Sequence, residues 1–146
     1  MPQKRPQSME PRVWATSDPF PVLLERFGTV VGLPSQQSVG LGKRIRNLLR
    51  LIHKSRSPYD SFMLRLHDFM KANDDFQEHA AKRFWNFAPG SAWLAFTDVV
   101  SHSVLRGRFA LEHSYFIPPA VLALPNESPP ALLEKACGLP VLRKAG

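Results

Sequence analysis

The feature that most constrains the fold is a change in the period of the apolar residues near the middle of the chain. Within "SPYDSFMLRLHDFMKANDDFQ" the apolar residues recur with the 3.6-residue period of an α-helix. Further along, "AWLAFTD" and "RFALEHSYF" alternate with the two-residue period of β-strands. Helical and strand patterns therefore occupy separate parts of the chain. This predicts an α+β fold with too few strands to close a sheet alone.

Shorter elements are predicted on the N-terminal side of this change. Residues 1–10 are polar and carry prolines, so we expect a disordered start. A strand is expected at residues 12–15, followed by a turn through "TSDP". A helix of about ten residues should then end at Gly28, because glycine commonly follows the last turn of a helix. Residues 11–146 are predicted to belong to one domain.

The central and C-terminal helices carry clear boundary signals. Ser57 and Asp60 suit the start of the central helix, where a serine and an acid can cap free amides. Near the C-terminus, "SPPALLEKACG" predicts a short helix with Pro130 in its first turn and Gly138 as its stop. The central helix is expected to turn its apolar face to a core. That face consists of Phe62, Met63, Leu66, Phe69 and Met70.

Composition narrows the class of protein. At 146 residues the chain is the size of one ordinary domain. The single cysteine, Cys137, excludes an internal disulfide and fits a reducing compartment. The start "MPQKRPQSMEPR" has no apolar signal region, and no apolar run approaches the roughly 20 residues of a membrane span. We therefore expect a cytoplasmic protein that is soluble or peripheral.

A net charge of +7 and a pI near 10.1 indicate attraction to anions. Much of the charge lies in "GKRIRNLLRLIHKSR", which contains no acid and has apolar residues at helical spacings. This predicts an amphipathic basic helix, with Arg46 and Arg50 as candidate contacts to an anionic surface. The alternative is a helix that packs one face on the protein and exposes the other to water.

His102 is the histidine whose setting suggests a metal site. A non-haem Fe(II) centre needs two histidines and one carboxylate with open positions beside them. The first two ligands of such enzymes usually form a His-x-Asp/Glu pair, but no histidine of this chain has an acid two positions later. From the residues alone, an ordinary position in a hairpin that turns at Gly107 explains His102 better than a metal site does.

Three stretches together resemble one family: "PRVWATSDPF", "SPYDSFMLRLHDFMK" and "FTDVVSHSVLRGRFALE". They are similar to the C-terminal half of the Kdo (3-deoxy-D-manno-oct-2-ulosonic acid) hydroxylases. The resemblance covers residues 10–142 with gaps. It implies a partial double-stranded β-helix of the jelly-roll or cupin type with flanking helices. The N-terminal half of the barrel would be missing, because only ten unrelated residues precede Pro11.

The resemblance also implies chemistry. These dioxygenases use Fe(II), 2-oxoglutarate and O2 to hydroxylate Kdo in the lipopolysaccharide inner core of Gram-negative bacteria. His102 matches the distal iron-binding histidine. Arg108 lies on the strand that in such oxygenases often supplies a basic residue for 2-oxoglutarate, so it is a candidate bidentate ligand of the cosubstrate. No motif of the family fixes this arginine, and a solvated arginine at a strand start is the simpler explanation. Thr97 and Ser101 are candidates to line the same pocket, although residues of these types more often occupy strand ends or turns.

The remaining candidates have structural explanations. His67 and Asp68 are adjacent on a helix and are expected to point apart, so they should not chelate a metal together. Tyr59 is expected to belong to the helix cap. Trp93 and Phe96 are expected to lie in the core.

One departure bears on activity. In the family the His-x-Asp pair lies upstream of the stretch that matches "PRVW". The resemblance therefore implies a fragment that is inactive alone, and we expect it neither to hold iron tightly nor to turn over 2-oxoglutarate. The implied substrate is a Kdo-containing lipid A precursor, with peripheral contact to an anionic inner membrane and no nucleic-acid partner. The alternatives are a non-catalytic remnant, or a basic module that binds anionic lipid or nucleic acid.

Overall fold

The computed structural model describes residues 11–35, 56–108 and 110–142. Its centre is a three-stranded antiparallel sheet with the strand order β2-β1-β3. The strands are β1 (Arg12–Pro19), β2 (Arg83–Phe87) and β3 (Val100–Arg106). Helices precede β2 and close the described chain, so the predicted mixture of helix and sheet is confirmed. Two short 3-10 turns, Pro119–Val121 and Pro125–Glu127, lead into the last helix.

Strand β1 is longer than predicted. The expected turn through "TSDP" is wrong, because Thr16 pairs with Arg83 on one side and with His102 on the other. A central strand that is hydrogen-bonded along both edges overrides the local turn preference of serine, aspartate and proline. The alternation along β1 places Ala15 on a buried face and its neighbours Trp14 and Thr16 on the opposite face.

Helix α1 (Phe20–Val31) follows β1 directly and runs past the predicted stop. Gly28 is buried inside the helix, where an added Cβ would lie 3.1 Å from the Leu24 Cδ1 atom. The stop is Gly32, whose φ of 86° lies in the left-handed region that glycine adopts without strain. The prediction took the first glycine as the stop, whereas close packing explains Gly28.

Helix α2 (Pro58–Ala72) confirms the predicted central helix and its start. The Ser57 hydroxyl accepts a hydrogen bond from the Asp60 amide, and the Asp60 carboxylate accepts one from the Ser57 amide. This reciprocal pair is a capping box, which satisfies two amides that the first turn leaves free. The short helix α3 (Asp74–His79) follows, capped by the Asn73 side chain.

The hydrophobic core lies among the helices. α1 packs against α2 and against the C-terminal helix α4 (Pro129–Cys137), and α3 contacts α2. Gly138 ends α4 in the left-handed conformation, so the predicted stop is confirmed. The predicted face of α2 is also confirmed: Phe62 and Leu66 are fully buried, and its other members pack against the core. The core comprises Phe20, Leu23, Phe27, Tyr59, Phe62, Leu66, Phe76, Leu133 and Val141.

The two strands predicted from the alternating segments are wrong. Residues 91–96 and 110–118 have no regular secondary structure, and residues 97–99 form a turn. The actual partners of β1 are residues 83–87, which were not predicted as a strand, and residues 100–106. Alternation indicates which residues suit a strand, but a strand also needs a partner backbone, and β1 has only two edges.

Some predictions fall outside the described residues. These are the disordered start at residues 1–10 and the basic helix, including Arg46 and Arg50. Within the part of the chain that the structure describes, no helix is long and apolar enough to cross a membrane.

Candidate functional site

His102 lies inside β3 and not in a hairpin turn. It pairs with Thr16 of β1, and its ring stacks on the Trp14 ring with 5.3 Å between centroids and 14° between planes. The Nδ1 atom lies 3.2 Å from the carbonyl oxygen of Val100. A carbonyl can only accept, so this hydrogen bond requires the proton on Nδ1 and leaves the Nε2 lone pair free in the neutral ring. Metal-binding histidines are commonly oriented in this way.

Three aromatic rings extend the same face of the sheet. Trp14 contacts Phe87 and Trp93 edge-on, at centroid distances of 6.3 and 5.9 Å. Phe87 and Trp93 stack on each other at 4.0 Å. Trp93 is only half-buried and Phe96 is 48% exposed, so the prediction that Phe96 lies in the core is wrong. Trp93 instead packs against the sheet beside Trp14.

A groove of about 1710 Å³ opens against these rings. Its walls are the irregular segments 88–98 and 110–117, and we call this cavity the groove. Arg12 and Arg108 line it, and so does Thr97. Among the described residues neither arginine forms an ion pair, which leaves two guanidinium groups available to an anion. The Nε atom of Arg12 is buried without a hydrogen-bond partner in that part of the chain.

Two hydrogen bonds from the helices hold the turn that precedes β3. The Phe20 amide donates to the carbonyl oxygen of Val99 at 2.7 Å, and the Tyr59 hydroxyl donates to the Asp98 carboxylate at 2.9 Å. The Tyr59 amide also donates to the carbonyl oxygen of Val141. The tyrosine expected in a helix cap therefore connects α2, the C-terminal segment and the strand of His102.

The environment of Tyr59 changes its acidity. Burial raises the pKa of its hydroxyl well above the usual value, and the negative charge of Asp98, the hydrogen bond and Asp60 raise it further. A raised folded-state pKa means that the folded protein holds this proton more tightly than the unfolded chain does. The resulting stability is fully present below about pH 10 and is lost as the pH rises above it.

We expect Tyr59→Phe to reduce the loss of stability at alkaline pH. The variant should lose about 0.5 to 1.5 kcal/mol near neutral pH, because the hydrogen bond to Asp98 is gone. Between pH 10 and pH 11 its free energy of unfolding should fall less steeply than that of the parent protein. Urea unfolding across this range measures the difference. Tyr115→Phe is the matched control, since Tyr115 is 74% exposed. Equal slopes for parent and Tyr59→Phe would contradict the assignment.

The described residues do not by themselves complete an iron site. No group of three or more histidine, cysteine, aspartate or glutamate side chains in this part of the chain could hold a metal ion. Asp98 follows Thr97 at the start of the turn, but its carboxylate accepts from Tyr59. A centre with two histidines and one carboxylate therefore needs further ligands besides His102.

The other predicted site residues have mixed outcomes. Ser101 does not line the groove, and its buried hydroxyl has no hydrogen-bond partner among the described residues. The prediction that His67 and Asp68 point apart is wrong, because His67 Nδ1 lies 3.5 Å from Asp68 Oδ1 on an exposed part of α2. Adjacent side chains can meet when both are free to turn in solvent.

Trp14 and Arg12 are two groove residues that were not predicted from the sequence as part of a site. A signal was available, because Arg12, Trp14 and Thr16 alternate along one strand and therefore share a face. The strand was predicted only for residues 12–15, so the alternation that continues to Thr16 was not recognised. Even the full pattern would not have shown that Trp93 and His102 pack on the same tryptophan.

Residues 5–140 match the sequence model of a family described as 3-deoxy-D-manno-oct-2-ulosonic acid (Kdo) hydroxylase. This chain belongs to the Kdo hydroxylase family. The match includes β1, the helices, the groove and His102, so the resemblance of its sequence motifs to this family is confirmed. No curated protein sequence matches the chain.

Solved structures support the same assignment. The apo structure of the Kdo hydroxylase KdoO, a non-heme Fe(II) alphaketoglutarate dependent dioxygenase, is 35% identical with a TM-score of 0.78; the match covers 94% of this chain and 45% of that one. KdoO in complex with succinate and Fe(III) is 34% identical with a TM-score of 0.80, and the match covers 97% of this chain and 47% of that one. KdoO with alphaketoglutarate and Fe(III) is 36% identical with a TM-score of 0.75, and the match covers 90% of this chain and 43% of that one. The chain thus spans less than half the length of the hydroxylases it matches.

Proposed function

We propose that this chain is the C-terminal part of an Fe(II)- and 2-oxoglutarate-dependent dioxygenase that hydroxylates Kdo in the lipopolysaccharide inner core, on a Kdo-containing lipid A precursor. Family membership and the similarity to KdoO structures that contain iron with succinate or alphaketoglutarate support this function. The proposal includes a partial double-stranded β-helix, of which the three-stranded sheet is one portion, and residues 11–146 as part of one oxygenase domain.

His102 is the residue that carries the proposal. Its Nδ1 atom is held by the Val100 carbonyl, and Nε2 is the atom that would bind iron. Stacking on Trp14 restricts rotation of the ring, which favours a fixed ligand direction. The sequence contains no His-x-Asp/Glu pair, so the other two ligands would come from polypeptide outside these 146 residues. We assign no reaction step to the chain alone.

Arg108 and Thr97 are proposed to contact 2-oxoglutarate. Both line the groove beside Trp14, and Arg108 has no ion-pair partner among the described residues. A guanidinium can bind a carboxylate through two parallel hydrogen bonds, which suits the carboxylate of the cosubstrate that lies away from the metal.

The test uses a single polypeptide in which the unmatched part of KdoO is joined to this chain. We expect it to bind one Fe(II) anaerobically and to release succinate from 2-oxoglutarate with oxygen. His102→Ala should weaken iron binding more than about 100-fold, since loss of an outer-shell partner alone costs about 10- to 100-fold. His79→Ala is the matched control, because His79 is exposed on α3 beside Asp75.

The isolated chain should neither bind iron tightly nor form succinate. Stoichiometric iron binding by the isolated chain that His102→Ala abolishes would mean that another residue or a second copy completes the site. Iron binding by the joined polypeptide that is indifferent to His102→Ala would refute the ligand assignment.

Contact with the cytoplasmic face of an anionic membrane is proposed through Arg46 and Arg50, which lie outside the described residues. Each basic residue near an anionic surface contributes about 1 kcal/mol, screened over roughly 10 Å at 0.1 M salt. The double variant Arg46→Glu with Arg50→Glu should bind anionic vesicles more weakly and lose most of the salt dependence. The pair Lys71→Glu with Lys135→Glu makes the same charge change elsewhere and should bind like the parent. Equal weakening by both pairs would indicate a response to net charge alone.

A further inference from the structure

Two segments beside the groove carry apolar residues that the described part of the protein leaves uncovered. Segment 91–98 contains Leu94, which is 93% exposed, and segment 110–117 contains Leu111 at 92% and Phe116 at 100%. Phe96, Tyr115 and Ile117 are also exposed. A soluble domain rarely leaves so many large apolar side chains together in water, and such a patch marks an interaction surface.

The same segments have the sequence pattern of strands without the structure of strands. Both alternate with a period of two, yet neither pairs with another backbone in the described chain. β2 and β3 are the outer strands of the sheet, so each has one edge that is unpaired among the described residues. Unpaired edges and strand-like segments at one groove are what remains when strands of a larger sheet are not present.

Three buried polar groups on or next to the sheet also lack partners. The Nε1 atom of Trp14, the Nε atom of Arg12 and the hydroxyl of Ser101 are buried without a hydrogen bond in the described part of the chain. Buried polar groups in native proteins are nearly always hydrogen-bonded, because an unpaired group has lost its hydrogen bonds to water without replacing them. Trp14 and Arg12 belong to the wall of the groove, so their partners are expected to come from whatever fills it.

The lengths of the related solved structures favour one occupant of the groove. The match covers 94–97% of this chain but only 45–47% of the KdoO chains in three of the structures. More than half of each hydroxylase therefore has no counterpart here, and a polypeptide of that kind could supply several strands. A second copy of this chain fits less well, because it would bring a further net charge of +7 to a surface that already carries two unpaired arginines.

We infer that the groove is the docking surface for a polypeptide equivalent to the unmatched part of a Kdo hydroxylase, and that segments 91–98 and 110–117 become β-strands when it docks. The inference rests on the proposed function, because the occupant is the rest of the same enzyme. Docking nevertheless needs no metal. If the chain docks but the complex does not bind iron, the proposed chemistry is contradicted while the inference about the docking surface stands.

The experiment is co-expression of the full chain with a tagged fragment of KdoO that comprises its unmatched part. We expect a 1:1 complex, measured by light scattering after size exclusion in the absence of iron. The double variant Leu111→Glu with Phe116→Glu should weaken the complex at least about 100-fold, since losing one central apolar anchor commonly weakens binding by about 30-fold or more. The control is Val22→Glu with Val30→Glu, which also replaces two exposed apolar side chains by glutamate but on α1, and it should leave the complex unchanged.

Amide hydrogen exchange provides a second measurement that does not depend on the fragment folding alone. In the joined polypeptide, exchange at residues 91–98 and 110–117 should slow at least about tenfold relative to the isolated chain. Unchanged exchange there would overturn the inference. A homodimer of this chain that the Leu111→Glu and Phe116→Glu changes dissociate would also overturn it, since a second copy would then be the occupant.

Discussion

Leu66→Ala is expected to lower the free energy of unfolding by about 2 to 5 kcal/mol. Leu66 lies on α2, is 1% exposed and belongs to the core cluster shared by α1, α2 and α4. Removing its side chain loses the burial of several methyl and methylene groups and leaves a cavity that fixed neighbours cannot fill. A domain of this size has about 5 to 15 kcal/mol of stability in total, so the loss is a large part of it.

Leu64→Ala is the matched control for this prediction. It makes the same chemical change on the same helix, but Leu64 is 40% exposed. Its cost should stay below about 1 kcal/mol. Denaturant unfolding measures how far the free energy of unfolding of each variant falls below that of the parent protein. Equal losses at the two positions would show that α2 does not present Leu66 to a packed core.

Gly107→Ala should lower the free energy of unfolding by about 2 to 6 kcal/mol. Backbone strain accounts for about 1 to 3 kcal/mol of this, and displacing the neighbouring atoms costs about 1 to 3 kcal/mol more. Gly107 follows β3 and has a φ of +119°, which residues with a Cβ rarely adopt. An added Cβ would lie 3.0 Å from both the Cα and the Cγ atoms of Arg12. The Cα atom belongs to the central strand, where Arg12 pairs with Phe87 of β2, so it cannot move without disturbing that ladder.

Gly90→Ala separates strain from close contact. Gly90 has a φ of +80°, but an added Cβ there meets no atom within 4 Å. This variant should show only the cost of strain, about 1 to 3 kcal/mol. Thermal or denaturant unfolding of both variants measures the difference. If Gly90→Ala costs as much as Gly107→Ala, the approach of Gly107 to Arg12 does not constrain the site.

The constraint at Gly107 links stability to the candidate site. Gly107 lies directly between β3, which carries His102, and Arg108 in the groove wall. On the other side of His102, Tyr59 and Phe20 hold the turn that leads into β3. The strand is therefore held at both ends by contacts from α1, α2 and β1. This explains how a single histidine on an outer strand can keep a defined direction.

Some features follow from the sequence because their causes are local. The start of α2 depends on Ser57 and Asp60, which are three residues apart, and their capping box forms as predicted. The stop of α4 at Gly138 depends on one glycine that can adopt a positive φ. Three sequence stretches, one of them around His102, also sufficed to indicate the family, since long motifs with little freedom do not require knowledge of the fold.

The sheet and the site were decided by tertiary structure. Residues 91–98 and 110–117 have better strand patterns than residues 83–87, yet β2 is the segment that pairs with β1. Likewise, the neighbours of His102 are Trp14, 88 positions earlier, and the Val100 carbonyl on its own strand. Strand pairing joins backbones that are distant in sequence, and its free energy depends on which partners are present. Local residue patterns determined the start of α2 and the end of α4, whereas only the assembled sheet could determine which strands pair and what surrounds His102.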